Sequence, residues 1–234
     1  MDIEFNNETA VIDAIIGFYN ADQSLLSYWN AEILQQLTNS DSEEIRLWLA
    51  KALVNDSPSA FSEQLLCKLS QDYDSLVRTE AIDSLSAYVS QKSFEVLCSA
   101  INDCDELVRS YAAMGVAIVG REIAHSAASA AIQKLILSEH SDHVLVSAYE
   151  GLYLLGEKDK LMNIFCLFRS DDYYIQCAVL NALEDILDYG YDEHVRKFIL
   201  GLNPHNYPCA VSEIINHIID RLNSTGQGDG LREP

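Results

Sequence analysis

An eight-residue phrase occurs twice in this chain. Asp74-Ser75-Leu76-Val77-Arg78-Thr79-Glu80-Ala81 returns 31 residues later as Asp105-Glu106-Leu107-Val108-Arg109-Ser110-Tyr111-Ala112, with Asp, Leu, Val, Arg and Ala kept. Weaker copies begin at Ser42 (Glu43-Glu44-Ile45-Arg46), at Asp142 (His143-Val144, then Ala148) and at Asp171 (Asp172-Tyr173-Tyr174, then Ala178), with a final unit over 193–222. A period in the thirties constrains the fold more than composition does. A unit this short cannot bury its own apolar face, so successive copies must stack to build a core.

Each unit reads as two helices. The second opens on an acid placed as N-cap (Asp74, Asp105, Asp142, Asp171), where a carboxylate accepts orphan backbone N–H bonds and faces the positive end of the helix dipole. Apolar residues then recur at helical spacing. Val77, Ala81, Ile82, Leu85 and Val89 form one stripe, Val108, Ala112, Val116 and Val119 a second, and Ile214, Ile215, Ile218, Ile219 and Leu222 a third. Shorter helices precede them, over 61–69, 94–101, 128–137, 161–168 and 194–200. Glycine and proline (Pro58, Gly120, Gly156, Gly190, Pro204) are expected at the turns. Residues 1–38 hold two more helical stretches, 9–19 and 24–37, expected to cap the stack. The repeats run from about 30 to 222. Residues 223–234 carry three glycines and no apolar pattern and are expected to be disordered.

Paired helices at this period, with D-x-x-V-R-x-x-A opening the second, resemble the HEAT-repeat family. The resemblance covers roughly residues 30–222. It implies an all-α, right-handed α-solenoid forming one continuous domain over 1–222. It also implies that Arg78 and Arg109 belong to an inter-repeat ladder with Asp74 and Asp105. In such solenoids the second helices line the concave face. Carried onto this sequence, the residues outside the apolar stripes there include Trp48, Glu80, Asp83, Tyr111, Glu150, Tyr153, Glu184, Asp185, Asp188, Glu213 and Asp220, the expected partner-binding set.

The charge balance says what such a face would bind. Fifteen Lys and Arg stand against 36 Asp and Glu, a net charge of −21. That opposes direct binding of nucleic acid or anionic membrane, both of which need basic surface. It suits a basic protein partner, and it exceeds the magnitude of about 2 to 8 that keeps a small domain soluble. No apolar run approaches the roughly 20 residues that span a bilayer, and 1–7 has neither a basic n-region nor an apolar h-region, so the expected location is cytoplasmic. The six cysteines form no C-x-x-C pair and are expected as buried thiols in a reducing compartment.

No catalytic arrangement emerges. Glu139-His140-Ser141-Asp142-His143 is the densest cluster of possible metal ligands, but it lacks cysteine and the H-E-x-x-H pattern, and is expected to be a polar turn. No G-x-S-x-G elbow occurs, and carboxylate pairs are too many for any to stand out as an acid–base dyad. The expectation is a protein without enzymatic activity, metal or cofactor, monomeric when free. Small acidic HEAT-repeat proteins similar to this one occur among bacterial immunity proteins. The resemblance therefore suggests an inhibitor that covers the basic cleft of a cognate toxin, such as a ribonuclease. Two other readings come with the family: a scaffold or adaptor, and a bilin-lyase-like enzyme. A DNA glycosylase, the other catalytic HEAT-like group, is opposed by the charge.

Overall fold

The computed structural model describes residues 7–190 and 192–225. Both strong copies open as the repeat requires. The Asp74 side chain accepts from the amides of Leu76 and Val77, and Asp105 from those of Leu107 and Val108. The helices in chain order are α1 (Glu8–Asn20), α2 (Ala31–Thr38), α3 (Glu43–Ala52), α4 (Ala60–Leu69), α5 (Ser75–Leu85), α6 (Gln91–Ala100), α7 (Glu106–Ile123), α8 (His125–Ser138), α9 (Asp142–Leu154), α10 (Leu161–Leu167), α11 (Tyr173–Tyr189), α12 (Glu193–Leu200) and α13 (Cys209–Thr225). Short 3-10 turns lie between some of them, and no strand occurs among the described residues. The all-α expectation, with helices packed on their sequence neighbours, is borne out.

The chain divides into two compact units, Met1–Glu139 and His140–Pro234. In the first, α1, α3, α5 and α7 pack side by side in order, and α2, α4 and α6 form a second layer, each against the helix that follows it. The shared core of this unit includes Leu34, Leu49, Leu66, Ile82, Leu85 and Leu97, all fully buried. Polar bonds between neighbours within the first layer pin it: Ser84 of α5 donates to the Ala50 carbonyl of α3 at 2.9 Å, and Tyr88 just after α5 to the Leu53 carbonyl just after α3 at 2.7 Å. In the second unit, α9, α11 and α13 pack in order, with α10 and α12 against them, around Ile164, Val179, Leu183, Val195, Ile199 and Ile215.

Several local expectations are corrected. The caps of α9 and α11 are Ser141 and Asp172, one residue from the acids named at 142 and 171; Asp142 is instead the first residue of α9, where it still faces the positive helix end. The stretch 24–37 is broken by the cap Asn30 into a 3-10 turn and α2. Val89 is 54% exposed because α5 ends at Leu85. Gly120 lies inside α7 rather than at a turn, and a Cβ there would stand 2.3 Å from the Ala128 Cβ and 2.9 Å from Phe94 Cε2. Only glycine allows α8 to approach so closely. Helix α13 continues to Thr225, past the expected boundary at 222; the rest of the expected disordered tail, 226–234, lies outside the described residues. Cys104, Cys166 and Cys209 are exposed rather than buried, and all six cysteines are free thiols.

Candidate functional site

Many acids of the first unit are structural, bound to arginines or to backbone amides. Four residues after the N-cap of α3, α5 and α7 stands an arginine. Arg46 donates to both carboxylate oxygens of Asp72 at 2.7 and 3.1 Å, Arg78 to both of Asp103 at 2.9 and 2.8 Å, and Arg109 to both of Glu139 at 2.7 and 3.1 Å. The third donor nitrogen of each turns back to a carbonyl of its own turn: Ser40, Asp72 and Asp103, at 2.6, 2.9 and 2.9 Å. The expected ladder therefore exists, but its acids are Asp103 and Glu139. Asp74 and Asp105 are spent on capping, where their carboxylates already face backbone amides.

The ladder acid sits two residues before the next cap, a spacing readable in Asp72-Tyr73-Asp74, Asp103-Cys104-Asp105 and Glu139-His140-Ser141. Where the arginine is replaced, so is the acid one repeat on. Leu145 holds the place in α9, and Ser170 stands before the cap of α11. Gln176 holds it in α11 and keeps only the carbonyl bond, to Ser170 at 2.8 Å. The arginine rungs end at Glu139, the last residue of the first unit.

What remains on the α3–α5–α7 face is a different group. Trp48 is half-buried, with its ring 6.3 Å from that of Tyr19 on α1. The Lys51 ammonium lies 5.5 Å from the Tyr19 ring centre and 5.6 Å from that of Trp48, and 3.6 Å from a Glu80 carboxylate oxygen. One turn along α5, Asp83 is solvent-exposed yet crowded by its surroundings. That crowding, and then the Glu80 charge, push its carboxyl above the usual range, and Lys51 offsets only part. Tyr111 on α7 is 40% exposed, and its phenol is pushed up by burial of its inner edge and by the charges of Asp83 and Glu80. Trp48, Glu80, Asp83 and Tyr111 are thus brought together on α3, α5 and α7, three adjacent helices of one layer. The sequence reading named no role for Tyr19, because α1 carries no copy of the repeat phrase.

In the second unit the expected set scatters. Glu184 accepts from Arg221 at 2.7 Å and lies 3.3 Å from His217, and Arg221 also pairs with Asp188. Asp185 is exposed and makes no ion pair among the described residues; burial of part of its surface and then the Glu184 charge push it up. Glu213 accepts from the Cys209 thiol at 3.2 Å, and Asp220 is exposed. Glu150 and Tyr153 depart from the expectation of exposed contacts, at 4% and 5% exposure. Tyr153 is drawn in by a hydrogen bond from its hydroxyl to Asp192, the cap of α12, and is covered by the Lys158 ammonium 3.5 Å from its ring centre. Glu150 is one of the buried residues of α9, where burial and then the Asp185 charge push its carboxyl well up.

Among the described residues no group of three or more His, Cys, Asp or Glu side chains could hold a metal ion. No helix among them is long and apolar enough to cross a membrane. Residues 30–117 match the family model for HEAT repeats. The matched segment begins at the cap of α2 and ends inside α7, so it contains Arg46, Arg78 and Arg109 and the whole Trp48–Glu80–Asp83–Tyr111 group. Compared with curated proteins, the chain finds no match.

Proposed function

We infer that this protein binds a basic protein through the face of α3, α5 and α7, and that it acts as an inhibitor of that partner. The coarser part, a protein-interaction role, is what HEAT repeats suggest. The observation that carries the finer reading is the seating of Lys51. The face already holds one ammonium between two aromatic rings and a carboxylate, the arrangement that attracts a cation most strongly at a partly dry surface. Beside it, Asp83 and Tyr111 offer the same chemistry without an ion-pair partner for the acid. Aromatic anchors ringed by charge are how tight interfaces are built, and opposite net charge speeds encounter. A toxin with a basic substrate cleft, a ribonuclease above all, is the partner whose activity such a face would block, so we assign the protein an immunity role in a bacterial cytoplasm.

The test is co-purification of the tagged chain with the product of the adjacent gene, followed by assay of that product's nuclease activity. A stable complex that silences the activity, weakened strongly between low and high salt, supports the reading. A stable complex that leaves activity intact instead supports the scaffold reading, which HEAT repeats favour equally. No complex with any basic neighbour sinks both.

A further inference from the structure

Tyr153, drawn in from the surface, lines a cavity of about 430 Å³ that lies wholly within the second unit. Leu161 and Ile186 line it as well, and all three are buried, so the floor is aromatic and aliphatic. Lys158, Tyr189 and His194 also line it but are exposed, which places them at the rim. A volume of this order suits a small organic molecule, and mostly apolar walls with a few polar groups are how such sites are built. Lys158 supplies the charge. It stands between Glu157 and Asp159 in sequence, but both acids pair with Lys160, at 3.5 and 3.0 Å. The Lys158 ammonium lies 3.5 Å from the Tyr153 ring centre and has no ion pair among the described residues. A ring takes up one side of an ammonium and leaves N–H groups to donate on the other. Asp192, also in the wall, is engaged on both oxygens: Oδ1 accepts from the amides of His194 and Val195 at 2.8 and 3.2 Å, and Oδ2 from the Tyr153 hydroxyl.

We propose that this cavity binds a small aromatic carboxylic acid, with its carboxylate on the Lys158 ammonium and its ring against Leu161, Ile186 and Tyr189. The site goes beyond the basic-partner reading and does not depend on it. An anion fits because the place over the Tyr153 ring already holds a cation, and that cation has no carboxylate of its own. An apolar body fits because Leu161 and Ile186 gain nothing from inorganic phosphate, which would leave them facing water. An aromatic body fits best, since the Tyr189 ring at the rim offers a face or edge to pack on.

Isothermal calorimetry of the full chain tests this in about 0.15 M salt, which screens much of the net charge of −21. The probes share one shape and differ in charge: phenylpropionate, its neutral amide and phenylpropylamine. Wild type is expected to bind the acid about tenfold more tightly than the amide, with the amine weakest. Lys158→Gln is expected to lose that preference while keeping its affinity for the amide, because only the charged donor has gone. Tyr189→Ala is expected to weaken acid and amide alike. Both side chains are exposed, so these variants are expected to fold, which circular dichroism checks. Lys197→Gln, outside the cavity, is expected to keep the preference. No saturable binding of the acid by wild type, or a preference for the acid that survives Lys158→Gln, would overturn the site. An amine bound as tightly as the acid would overturn the assignment of an anionic ligand. The basic-partner reading is judged by the co-purification, and neither result decides the other.

Discussion

Arg78 and Asp103 meet fork to fork: Nε donates to Oδ2 at 2.9 Å and Nη2 to Oδ1 at 2.8 Å, with the side chains 12% and 16% exposed. Each helps hold one helix pair on the next. Removing one partner of a largely buried bidentate pair leaves the other charged and unpaired, so Arg78→Ala is expected to lower unfolding free energy by about 2–4 kcal/mol in urea melts. Lys197→Ala, which breaks the exposed pair with Glu193, is expected to cost less than about 0.5 kcal/mol. An Arg78→Ala variant as stable as wild type would remove the ladder from the account of the fold.

The same rung sets an acid limit. Burial works to raise the Asp103 carboxyl, but the bonds from Arg78 and from the Asp105 amide outweigh it and hold the carboxyl below the usual range. The unfolded chain therefore binds a proton before the folded one does, so the stabilisation is present above about pH 4 and is lost as pH falls through the lower folded value. Between pH 5 and pH 2, wild type is expected to lose more stability than Asp103→Asn, measured by thermal melts across pH.

Glu150 runs the other way. Its folded carboxyl is held well above the usual range, so above about pH 4 the folded state keeps a proton that the unfolded state has released. Stability from this group then falls as pH rises toward the folded value. Glu150→Gln, which cannot ionise, is expected to melt higher than wild type at neutral pH and close to it near pH 4. A variant less stable than wild type at neutral pH would show that the carboxylate is needed for folding.

Gly115 and Gly120 both sit in α7, and helix propensity alone favours alanine at each by about 1 kcal/mol. At Gly120 the new methyl meets the Ala128 Cβ at 2.3 Å and the Phe94 ring, so Gly120→Ala is expected to cost about 1–3 kcal/mol. At Gly115 the nearest atom, at 2.7 Å, is the end of the Leu97 side chain, which can turn aside. Gly115→Ala is expected to be the milder change in the same denaturation series.

Thiol labelling separates the cysteines. Cys104 and Cys166 are exposed and are expected to react first with iodoacetamide at neutral pH. Burial pushes the Cys67, Cys98 and Cys177 thiols up, and the hydrogen bond to Glu213 does so for the exposed Cys209, so these four are expected to lag. Peptide mass spectrometry over a time course reads the order directly. Cys209 labelling as fast as Cys104 would contradict the Glu213 bond.

The repeat phrase made the helix pairs legible, since Asp74 and Asp105 cap where an acid must cap whatever lies nearby. The ladder was only half legible. The arginines stood out as a repeated letter, but their acids lie 25 to 30 residues further on, and the nearer Asp74 and Asp105 were the false choice. The face was legible where one repeat sets it, at Trp48, Glu80, Asp83 and Tyr111. It was not legible at Glu150, Tyr153, Glu184 or Asp188, whose surroundings come from α11, α12 and α13.

Taken alone, the sequence determined the all-α architecture, the stacking of short helix pairs and the surplus of acid, because a short period and local capping act within one repeat. Only the tertiary structure decided which acids are spent on arginines and which stay open. It also decided that the packing falls into two units, and that Glu150 is enclosed rather than displayed. Those outcomes depend on side chains 25 to 40 positions apart meeting across a helix interface, and burial is a property of that meeting rather than of any residue by itself.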